Sequence, residues 1–486
     1  MFKRKIALFL AAASLAASLA ACGEKPAPVT SENTTASTEA TTEAPEFVPV
    51  DADYSGEFTM LISGNCNTNV AFKSFEDSDM TERTPLDEAV YRRMKTVEEL
   101  YGVTFNYIED YGTTGSAKTK LMVAATAGDD DYDAAVIAAY DAVPLAMAGS
   151  LYELGSIKNL TLDKDFWDER ASRDLTIRGL LFATTGDIDF WDDMMQNVIA
   201  FNKQVKADLN IEDNFYTLVE DGKWTMDALA SYAKQATEDL NSDGVYDMSD
   251  KFGLITWDDS IYAVLEGSGE RVVQVADDGT LNLTLTGSER IVDVLTKYTD
   301  FCFGGDAINY QRYTSKEAMD MFSGNRALFL AGRLQSLDAY RDMETDYGIL
   351  PYPKYDESQK DYGHGIGVNQ TAFICVPEMV TNDARTGFVL EELSYQGKKL
   401  LTPAYYEKTL VGQYTRDEES AEMLDIIFAT RVFDVGIYYN LGGYKDKICS
   451  MLRLGDTLTN VYETNRSAAE QKLEGINELF RESTAD

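Results

Sequence analysis

Histidine is nearly absent from this chain of 486 residues, which excludes several classes of active site. Because His364 is the one histidine, a histidine-rich metal site cannot form, and a Ser-His-Asp triad would have to use that residue. Its neighbours Gly363, Gly365 and Gly367 suit a flexible loop or a crossing between two lobes. The sequence also contains no GxSxG, HExxH or phosphate-loop signature, so no established catalytic motif is present.

Cysteine is also scarce, with five residues in the whole chain. Cys22 lies near the N-terminus, and the other four are scattered without a CxxC pair or a metal-type spacing: Cys66, Cys302, Cys375 and Cys449. Export from the cytoplasm would permit disulfides, but the spacing indicates no pairing. We therefore expect these four residues to be buried free thiols.

Basic residues are outnumbered by acidic ones, with 43 Lys and Arg against 82 Asp and Glu. The formal net charge of −39 at pH 7 would repel the phosphates of a nucleic acid. This balance excludes nucleic acid as a partner and is compatible with a soluble protein that works outside the cytoplasm.

The N-terminal segment 1–21 has the pattern of a signal peptide. Three basic residues at 3–5 precede an apolar run that is too short for a membrane span. The run ends in Leu19-Ala20-Ala21-Cys22, which resembles a bacterial lipobox. The resemblance implies cleavage before Cys22 and a lipid such as palmitate on that cysteine; a plain secretory signal is the alternative. Residues 22–50 are rich in Thr, Ser, Glu, Ala and Pro, which predicts a disordered tether.

Strand and helix patterns alternate in the first part of the body, residues 58–140. Alternating apolar residues at 58–62 predict a strand, and Thr84 caps a helix that Gly102 ends. A second strand, a short helix and a buried strand ending near Tyr140 follow. This order predicts βαβ units, and therefore an α/β fold with a mostly parallel sheet.

Further strand patterns follow, and the chain becomes helical after residue 386. The apolar runs that predict these strands are 180–184, 198–201, 254–257 and 327–331.

Residues 222–253 predict a capped helix that leads into an acidic loop. Thr225 is a good N-cap, Trp224 and Leu229 match a hydrophobic staple, and a buried stripe extends to Leu240. The loop then places potential oxygen ligands with the spacing of a twelve-residue calcium loop: Asp239, Asn241, Asp243, the carbonyl of Val245, Asp247 and Asp250. Gly244 would permit its sharp turn.

Two interpretations of this loop stay open. The first is one structural calcium ion, with an Asp at the last position as in dockerin modules, which would stiffen the protein without touching a bound solute. The second is a solvated acidic turn, which is common in so acidic a chain. Neither interpretation defines a function, because a structural calcium ion occurs in proteins of many kinds.

Several short motifs together resemble the bacterial extracellular solute-binding lipoproteins, the receptor subunits of ABC importers. Besides the lipobox and tether, these motifs are Ala127-Gly128-Asp129, Gly149-x-Leu151-x-x-Leu154, Phe201-Asn202-Lys203, Gly222-Lys223-Trp224-Thr225 and Tyr347-Gly348-Ile349-Leu350-Pro351. Each is short, but their order along the chain is similar to the branch that binds sugars and oligosaccharides.

The resemblance implies a two-lobed periplasmic-binding-protein-like fold of type II. Each lobe would be discontinuous in sequence, with a mixed, mostly parallel sheet flanked by helices, and a hinge would join the lobes. We expect residues 51–160 and 311–362 in lobe 1, and residues 161–310 and 363–486 in lobe 2, with helices at the C-terminus. Closure of the hinge would bury a solute between the lobes.

Candidate ligand-binding residues are the polar and aromatic residues just past predicted strand ends, where open α/β sheets bind ligands. Aromatic rings offer apolar faces to sugar C–H groups, and Asp, Asn and Arg match sugar hydroxyls. The candidates are Asn65, Tyr140, Asp141, Asp187, Trp191, Trp257, Asp258 and Arg333. The alternatives are a turn role for Asn65, core packing for the tryptophans and a structural ion pair for Arg333.

Together these features predict a monomeric, lipid-anchored receptor on the extracellular face of the cytoplasmic membrane. It would capture a small solute, by preference a carbohydrate, and deliver it to an ABC permease without chemical turnover. A peptide or another organic solute is the alternative within the class. Two other classes stay open: a carbohydrate-active enzyme using carboxylates at 187–193, and a calcium-dependent cell-surface interaction protein.

Overall fold

The computed structural model describes residues 53–64, 71–73, 83–112, 115–285, 287–312, 315–367, 369, 371–406 and 415–482. All of them belong to one unit, Pro49–Asp486. The segments predicted to be a signal peptide and a tether lie outside the described residues, as do Cys22, Asn65 and Cys66, so the expectations for them stay predictions. Among the described residues, no helix has both the length and the apolar character that a membrane crossing requires.

The strands of the described chain fall into two large sheets and two small ones. In chain order they are β1 (Gly56–Ser63), β2 (Val103–Asp110), β3 (Ala134–Ala138), β4 (Asn197–Asn202), β5 (Phe252–Thr256), β6 (Val273–Val275), β7 (Leu281–Leu283), β8 (Ala307–Asn309), β9 (Ala327–Arg333), β10 (Tyr347–Leu350), β11 (His364–Gly365), β12 (Ala372–Cys375) and β13 (Arg431–Val432).

Helices cover the faces of the sheets and dominate the C-terminal region. They are α1 (Pro85–Tyr101), α2 (Ser116–Ala127), α3 (Ala139–Met147), α4 (Glu169–Leu175), α5 (Trp191–Met194), α6 (Lys203–Asp208), α7 (Phe215–Glu220), α8 (Met226–Ala236), α9 (Ser260–Gly267), α10 (Glu289–Phe303), α11 (Ser315–Ser323), α12 (Asp383–Pro403), α13 (Glu418–Ala429), α14 (Val435–Tyr438), α15 (Tyr444–Lys447), α16 (Cys449–Leu454) and α17 (Leu458–Glu482). Short 3₁₀ turns lie at Leu154–Ser156, Tyr310–Arg312, Leu334–Tyr340 and Leu441–Gly443.

The first sheet has the order β12-β3-β1-β2 and is mostly parallel, as expected. β1 pairs in parallel with β2 and β3, and β12 pairs antiparallel with β3. Helix α1 begins where the cap predicts, since the Thr84 hydroxyl accepts a hydrogen bond from the Asp87 backbone N–H at 3.1 Å. It ends at Gly102, whose φ of 68° lies in the left-handed region that favours glycine.

The second sheet has the order β10-β4-β9-β5-β8 and is mixed. β5 pairs in parallel with β8 and β9, whereas β4 pairs antiparallel with β9 and β10. A large apolar cluster around this sheet includes the buried Trp224 and Phe329, and the C-terminal helix α17 adds Ile476 and Phe480 to it. The two sheets form the centres of the two lobes of an α/β fold.

The expected assignment of chain segments to the lobes is wrong in two places. Residues 311–362 do not return to the first lobe, because β9 and β10 pair within the second sheet. The chain returns later, with β12, although residues 363–486 were expected to lie in the second lobe. The physical reason is that a short apolar run has the same pattern in either sheet, so only pairing decides which sheet it joins.

Two crossing segments connect the lobes side by side. One segment begins at Thr184, which pairs with β12 of the first sheet, and ends at β4 of the second sheet. The other segment runs from β10 of the second sheet back to β12 of the first. They pair with each other at Gln196 and Ile366, and β11 pairs with β13 next to that bridge. We call these paired crossings the hinge region.

Helix α8 begins where the sequence predicts. It ends earlier than its apolar stripe suggests. The Thr225 hydroxyl caps it through the Ala228 N–H at 3.3 Å, and Trp224 is fully buried. The stripe was expected to reach Leu240, but the helix ends at Ala236 and Leu240 is 45% exposed. The backbone becomes extended at Thr237, which allows Glu238 and Lys251 to pair across the acidic loop.

Two further differences concern short segments. Residues 180–184 form only isolated bridges instead of a regular strand, since Leu180 turns back onto Ile177. The turn at 277–279 connects the small hairpin β6–β7, which the sequence pattern did not predict. Within the described chain Cys302, Cys375 and Cys449 form no disulfide; Cys375 and Cys449 are buried as expected, whereas Cys302 is partly exposed.

Candidate functional site

The parallel strands of the second sheet end at a common edge, and this edge carries the candidate site. Because β5, β8 and β9 are parallel, the residues that end or follow them lie side by side. These residues are Trp257 after β5, Tyr310 after β8 and Arg333 at the end of β9. The edge therefore brings together two aromatic rings and a guanidinium from three distant parts of the sequence.

A cavity of about 390 Å³ opens at this edge. Its wall combines aromatic rings with neutral polar and charged side chains, namely Trp257, Tyr310, Tyr340, Arg333, Gln335, Ser336 and Asp338, besides aliphatic residues of β9 and α11. Ligand pockets typically have this size and this mixture of apolar walls and a few polar groups. The cavity is thus the best candidate for a solute site in the described structure.

Arg333 is held in place by its neighbours. Its guanidinium lies 5.5 Å from the Trp257 ring centroid and 3.2 Å from a carboxylate oxygen of Asp259. Gly367 of the hinge region packs so close that a Cβ there would collide with Arg333. Arg333 therefore forms the structural ion pair that was the alternative for it and also lines the cavity, and its contact with a ligand stays a prediction.

Asp259 departs from the usual role of its position. It is the N-cap residue of α9, yet its side chain makes no capping hydrogen bond. One carboxylate oxygen accepts instead from Arg333 and from the Asn369 amide at 3.0 Å. Asp259 thereby links the edge of the second sheet to the hinge region.

Asp258, a predicted ligand residue, is 1% exposed and forms contacts that stabilise the strand ends. It accepts a hydrogen bond from Asn309 at 2.6 Å and pairs with Arg453 at 2.5 Å. Its backbone N–H donates to Gln311 at 2.8 Å. These contacts join β5, β8 and α16 behind the cavity.

A chain of contacts connects the cavity with the first lobe. The side-chain amide oxygen of Asn369 accepts from the Lys445 ammonium at 2.6 Å, and that ammonium lies 5.2 Å from the Tyr140 ring centroid. Tyr140 follows β3 of the first sheet, as predicted. Its neighbour Asp141 is buried and pairs with Lys118 at 2.7 Å, inside the first lobe. Tyr140 therefore faces the same network as Arg333, whereas Asp141 supports α3.

Asp187 and Trp191 lie apart from this cavity. Trp191 is 3% exposed and packs in the apolar cluster around the first sheet. The Asp187 carboxylate accepts a hydrogen bond from Thr402, and burial raises its pKa to about 6. Trp191 thus has the core environment that was the alternative for it, and Asp187 is buried and bonded to Thr402.

The other carboxylates of this segment are also engaged. Asp189 accepts from two backbone N–H groups, and burial raises its pKa to about 6. Asp192 and Asp193 both pair with Arg431, and burial raises the pKa of each. Arg431 also pairs with Asp168 at 2.9 Å, so the cluster binds α4 and α5 to β13 of the hinge region.

His364 and its glycines lie in a crossing between the lobes, one of the two predicted alternatives, and form a packed part of the hinge region rather than a flexible loop. His364 is 1% exposed, and its Nδ1 lies 2.6 Å from the Thr430 hydroxyl. Burial lowers its pKa to about 3, so the imidazole is neutral at physiological pH. A Cβ at Gly365 would collide with the Glu266 carboxylate, which explains the need for glycine there.

Several residues of the site were not predicted: Asp259, Tyr310, Gln335, Tyr340, Asn369 and Lys445. Tyr310 could have been found, since it follows a strand of the same sheet. Asn369 and Lys445 come from the hinge region and from α15, and no local pattern places them near the sheet edge.

Two carboxylates of the acidic loop accept hydrogen bonds from backbone N–H groups of the same loop. Asp239 accepts from the N–H groups of Ser242 and Gly244 at 2.7 and 2.9 Å, and Gly244 has a φ of 78°. The buried Asp250 accepts from Leu240 and Asp247. Across the described chain, no three His, Cys, Asp or Glu side chains converge as a metal site would require. Calcium binding by this loop therefore stays a prediction.

Comparisons by sequence find no relative: no family model matches the chain, and no curated protein is similar to it. Comparison of folds gives extensive likenesses to solved structures. One is the galacto-N-biose/lacto-N-biose I-binding protein of an ABC transporter from Bifidobacterium longum, in complex with lacto-N-biose. It has a TM-score of 0.59 and 10% identity, over 87% of this chain and 98% of that one.

Two further structures have similar scores. An ABC substrate-binding protein from Listeria monocytogenes in complex with cycloalternan has a TM-score of 0.54 and 14% identity, over 87% of this chain and 98% of that one. The maltose/maltodextrin-binding domain MalE from Bdellovibrio bacteriovorus, bound to maltotriose, has a TM-score of 0.54 and 15% identity, over 86% and 100%. At these identities the likeness establishes the fold, which is the two-lobed fold of these binding proteins.

Proposed function

We propose that this protein is the solute receptor of an ABC importer and captures a carbohydrate at the carboxyl edge of its second sheet. The observation that carries the proposal is the cavity of about 390 Å³, in which Trp257, Tyr310 and Tyr340 surround Arg333 and Gln335. Aromatic faces suit the C–H faces of sugar rings, and the amide and guanidinium groups suit hydroxyl oxygens.

The hinge region gives this cavity a way to close. The contacts from Asp259 through Asn369 and Lys445 to Tyr140 pass from one lobe to the other. A solute held between Tyr140 and Trp257 would strengthen those contacts, and closure would exclude water from it. The bound lacto-N-biose, cycloalternan and maltotriose of proteins with this fold support a saccharide as the solute.

A thermal-shift panel of oligosaccharides, peptides and amino acids tests the proposal. We expect at least one saccharide to raise the melting temperature of the protein, because a ligand that binds only the folded state stabilises it. A peptide that raises the melting temperature while no saccharide does would replace carbohydrate by peptide as the solute.

Binding without turnover is part of the proposal. The carboxylates at 187–193 that a glycosidase could have used are bound to Arg431, to Thr402 and to backbone N–H groups. Incubation with the saccharide that stabilises the protein should leave it intact by chromatography. Hydrolysis that disappears in Asp193→Asn would instead establish an enzyme.

We also propose one structural calcium ion at the acidic loop. The oxygen-rich side chains and the left-handed Gly244 fit such an ion, and Asp239, Asn241, Asp243, Asp247, Asp250 and the carbonyl of Val245 would hold it. A cell-surface interaction protein is a weaker candidate, since the loop occurs once in a large two-lobed body.

Finally, we propose that Cys22 carries a lipid that anchors the protein to the extracellular face of the cytoplasmic membrane, close to its permease. The lipobox pattern and the Ser/Thr-rich segment after it support this location. A palmitate analogue supplied to producing cells should label the wild-type protein and not Cys22→Ala, and inhibition of lipoprotein signal cleavage with globomycin should leave a precursor of higher mass. Equal labelling of the two proteins would contradict a lipid on Cys22.

A further inference from the structure

We infer that the proposed solute site selects uncharged saccharides and discriminates against uronic acids and amino sugars. The inference rests on the proposed function and narrows its substrate class. It follows from the pairing of charges in and around the cavity.

The cation in the cavity wall is already neutralised. Arg333 lies 3.2 Å from Asp259, and the side chains of both residues are largely buried, at 18% and 15% exposure. Asp259 is further fixed by Asn369 and by the Cys449 thiol at 3.4 Å. A ligand carboxylate that approached Arg333 would have to share it with a carboxylate held by three partners.

The other charges near the cavity are paired as well. Asp338, the acidic residue of the wall, lies 3.4 Å from Arg341. Behind the wall, Asp258 pairs with Arg453 at 2.5 Å. On the side of the first lobe, Lys445 lies 3.1 Å from Asp446. Each positive group is thus matched by a negative one, and the site offers a charged ligand no counterion of its own.

The groups that remain for a ligand are neutral. The Trp257 side chain is almost completely buried, and its Nε1–H has no hydrogen-bond partner among the described residues. Such a donor matches the oxygen of a hydroxyl group, and burying it unpaired is unfavourable. Gln335 and the two tyrosines add amide and hydroxyl groups to the same wall, whereas the Ser336 hydroxyl already bonds to the backbone of Arg333.

The physical consequence is discrimination by desolvation. A charged sugar would lose its hydration on entering the closed site, and no unmatched charge would compensate that loss. Since an unpaired buried charge is strongly unfavourable, we expect at least about tenfold weaker binding of a charged analogue than of its neutral counterpart.

The first test compares matched disaccharides on the wild-type protein. Calorimetric titrations would use cellobiose, cellobiouronic acid and the glucosamine dimer, which share a β-1,4 linkage, and digalactose against digalacturonate for an α-1,4 linkage. We expect the neutral member of a pair to bind and its charged members to bind at least tenfold more weakly. A uronate or amino-sugar dimer that binds as tightly as the neutral dimer would overturn the inference.

The second test changes the charge at the site. Asp259→Asn keeps an acceptor for Arg333 but leaves the guanidinium without a counterion, so the affinity for the uronate, relative to the neutral dimer, should rise about tenfold or more. Arg333→Gln should shift the relative affinity toward the glucosamine dimer. The matched control is Asp361→Asn, which removes the same charge from an exposed position and should leave all ratios unchanged.

The outcomes separate this inference from the proposed function. If a saccharide binds but the charged analogue is preferred, the receptor proposal stands and the charge inference fails. If only peptides bind, the proposed function fails, and this inference fails with it. If neither Asp259→Asn nor Arg333→Gln alters the ratios although both are folded by thermal melting, the Arg333–Asp259 pair does not set the selectivity, which also overturns the inference.

Discussion

Trp257 shows how one residue can belong both to the core and to a binding site. Its indole packs against the large apolar cluster of the second lobe and is 3% exposed, yet it also lines the cavity beside Arg333. The apolar cluster fixes the ring, which forms part of the cavity wall, and its buried Nε1–H has no hydrogen-bond partner among the described residues. Such preorganisation reduces the entropy lost when a ligand binds.

Replacing Trp257 by Phe should separate the two contributions of the indole. The variant keeps an aromatic face but loses the Nε1 donor, so the affinity for the saccharide should fall about 2- to 13-fold, equivalent to ~0.5–1.5 kcal/mol. Titration calorimetry measures the change. Trp191→Phe, in the core of the first lobe, is the matched control and should bind with unchanged affinity; an equal loss in both variants would argue against a ligand role for Trp257.

Asp187 makes stability depend on pH in a defined direction. Burial raises its pKa to about 6, whereas the unfolded chain releases this proton near pH 4. The folded state therefore binds more protons between these values, and the contribution of Asp187 to stability falls as pH rises from about 4 to 6. Asp187→Asn removes the ionisation but can still accept from Thr402. The free energy of unfolding of the variant minus that of the wild type should be larger at pH 7.5 than at pH 4.5, by ~1–3 kcal/mol. Denaturant unfolding at the two pH values measures the difference, and a difference that is independent of pH would contradict it.

Among the helices and strands, the boundaries that are set by neighbouring residues could be predicted from the sequence. Helices α1 and α8 begin at Thr84 and Thr225 because each hydroxyl caps a backbone N–H three residues on, which the sequence shows directly. The end of α8 was missed, since the stripe to Leu240 is broken by pairing between Glu238 and Lys251. The lobe assignment of β9, β10 and β12 was likewise missed, because it depends on pairing between distant strands.

The same distinction explains the site. Tyr140, Trp257 and Arg333 were predictable because ligands of α/β sheets lie past strand ends. Asn369 and Lys445 reach the site through the hinge region and α15, whose positions depend on tertiary contacts between distant parts of the chain. Trp191 was misleading because a tryptophan after an apolar run has the same sequence pattern whether it packs in a core or faces a ligand.

Calcium binding to the acidic loop should raise the melting temperature of the protein. At a calcium concentration of about 100 times the dissociation constant, binding to the folded state adds ~2.7 kcal/mol, and the melting temperature should rise by several degrees. Asp243→Ala should abolish the rise, whereas Asp278→Ala, in the exposed turn between β6 and β7, should not. Equal melting temperatures in calcium and in chelator would contradict a calcium site.

At the scale of the molecule, the two sheets and the paired crossings between them form a hinge. Saccharide binding should bring the lobes together, because contacts from Tyr140 on one side and Trp257 on the other can form together only when the cleft closes. Small-angle scattering should show a smaller radius of gyration with the saccharide than without it. The matched control is a saccharide that gives no thermal shift, and an unchanged radius with the bound saccharide would contradict closure.

The central claim is that the cavity at the edge of the second sheet binds a carbohydrate, and one titration tests it most directly. The saccharide that raises the melting temperature is titrated into the wild-type protein and into Trp257→Ala. We predict one binding site in the wild type and an affinity at least about tenfold lower in the variant, since the aromatic face and the donor are both lost. Equal affinities in the two proteins would place the saccharide elsewhere and contradict the account.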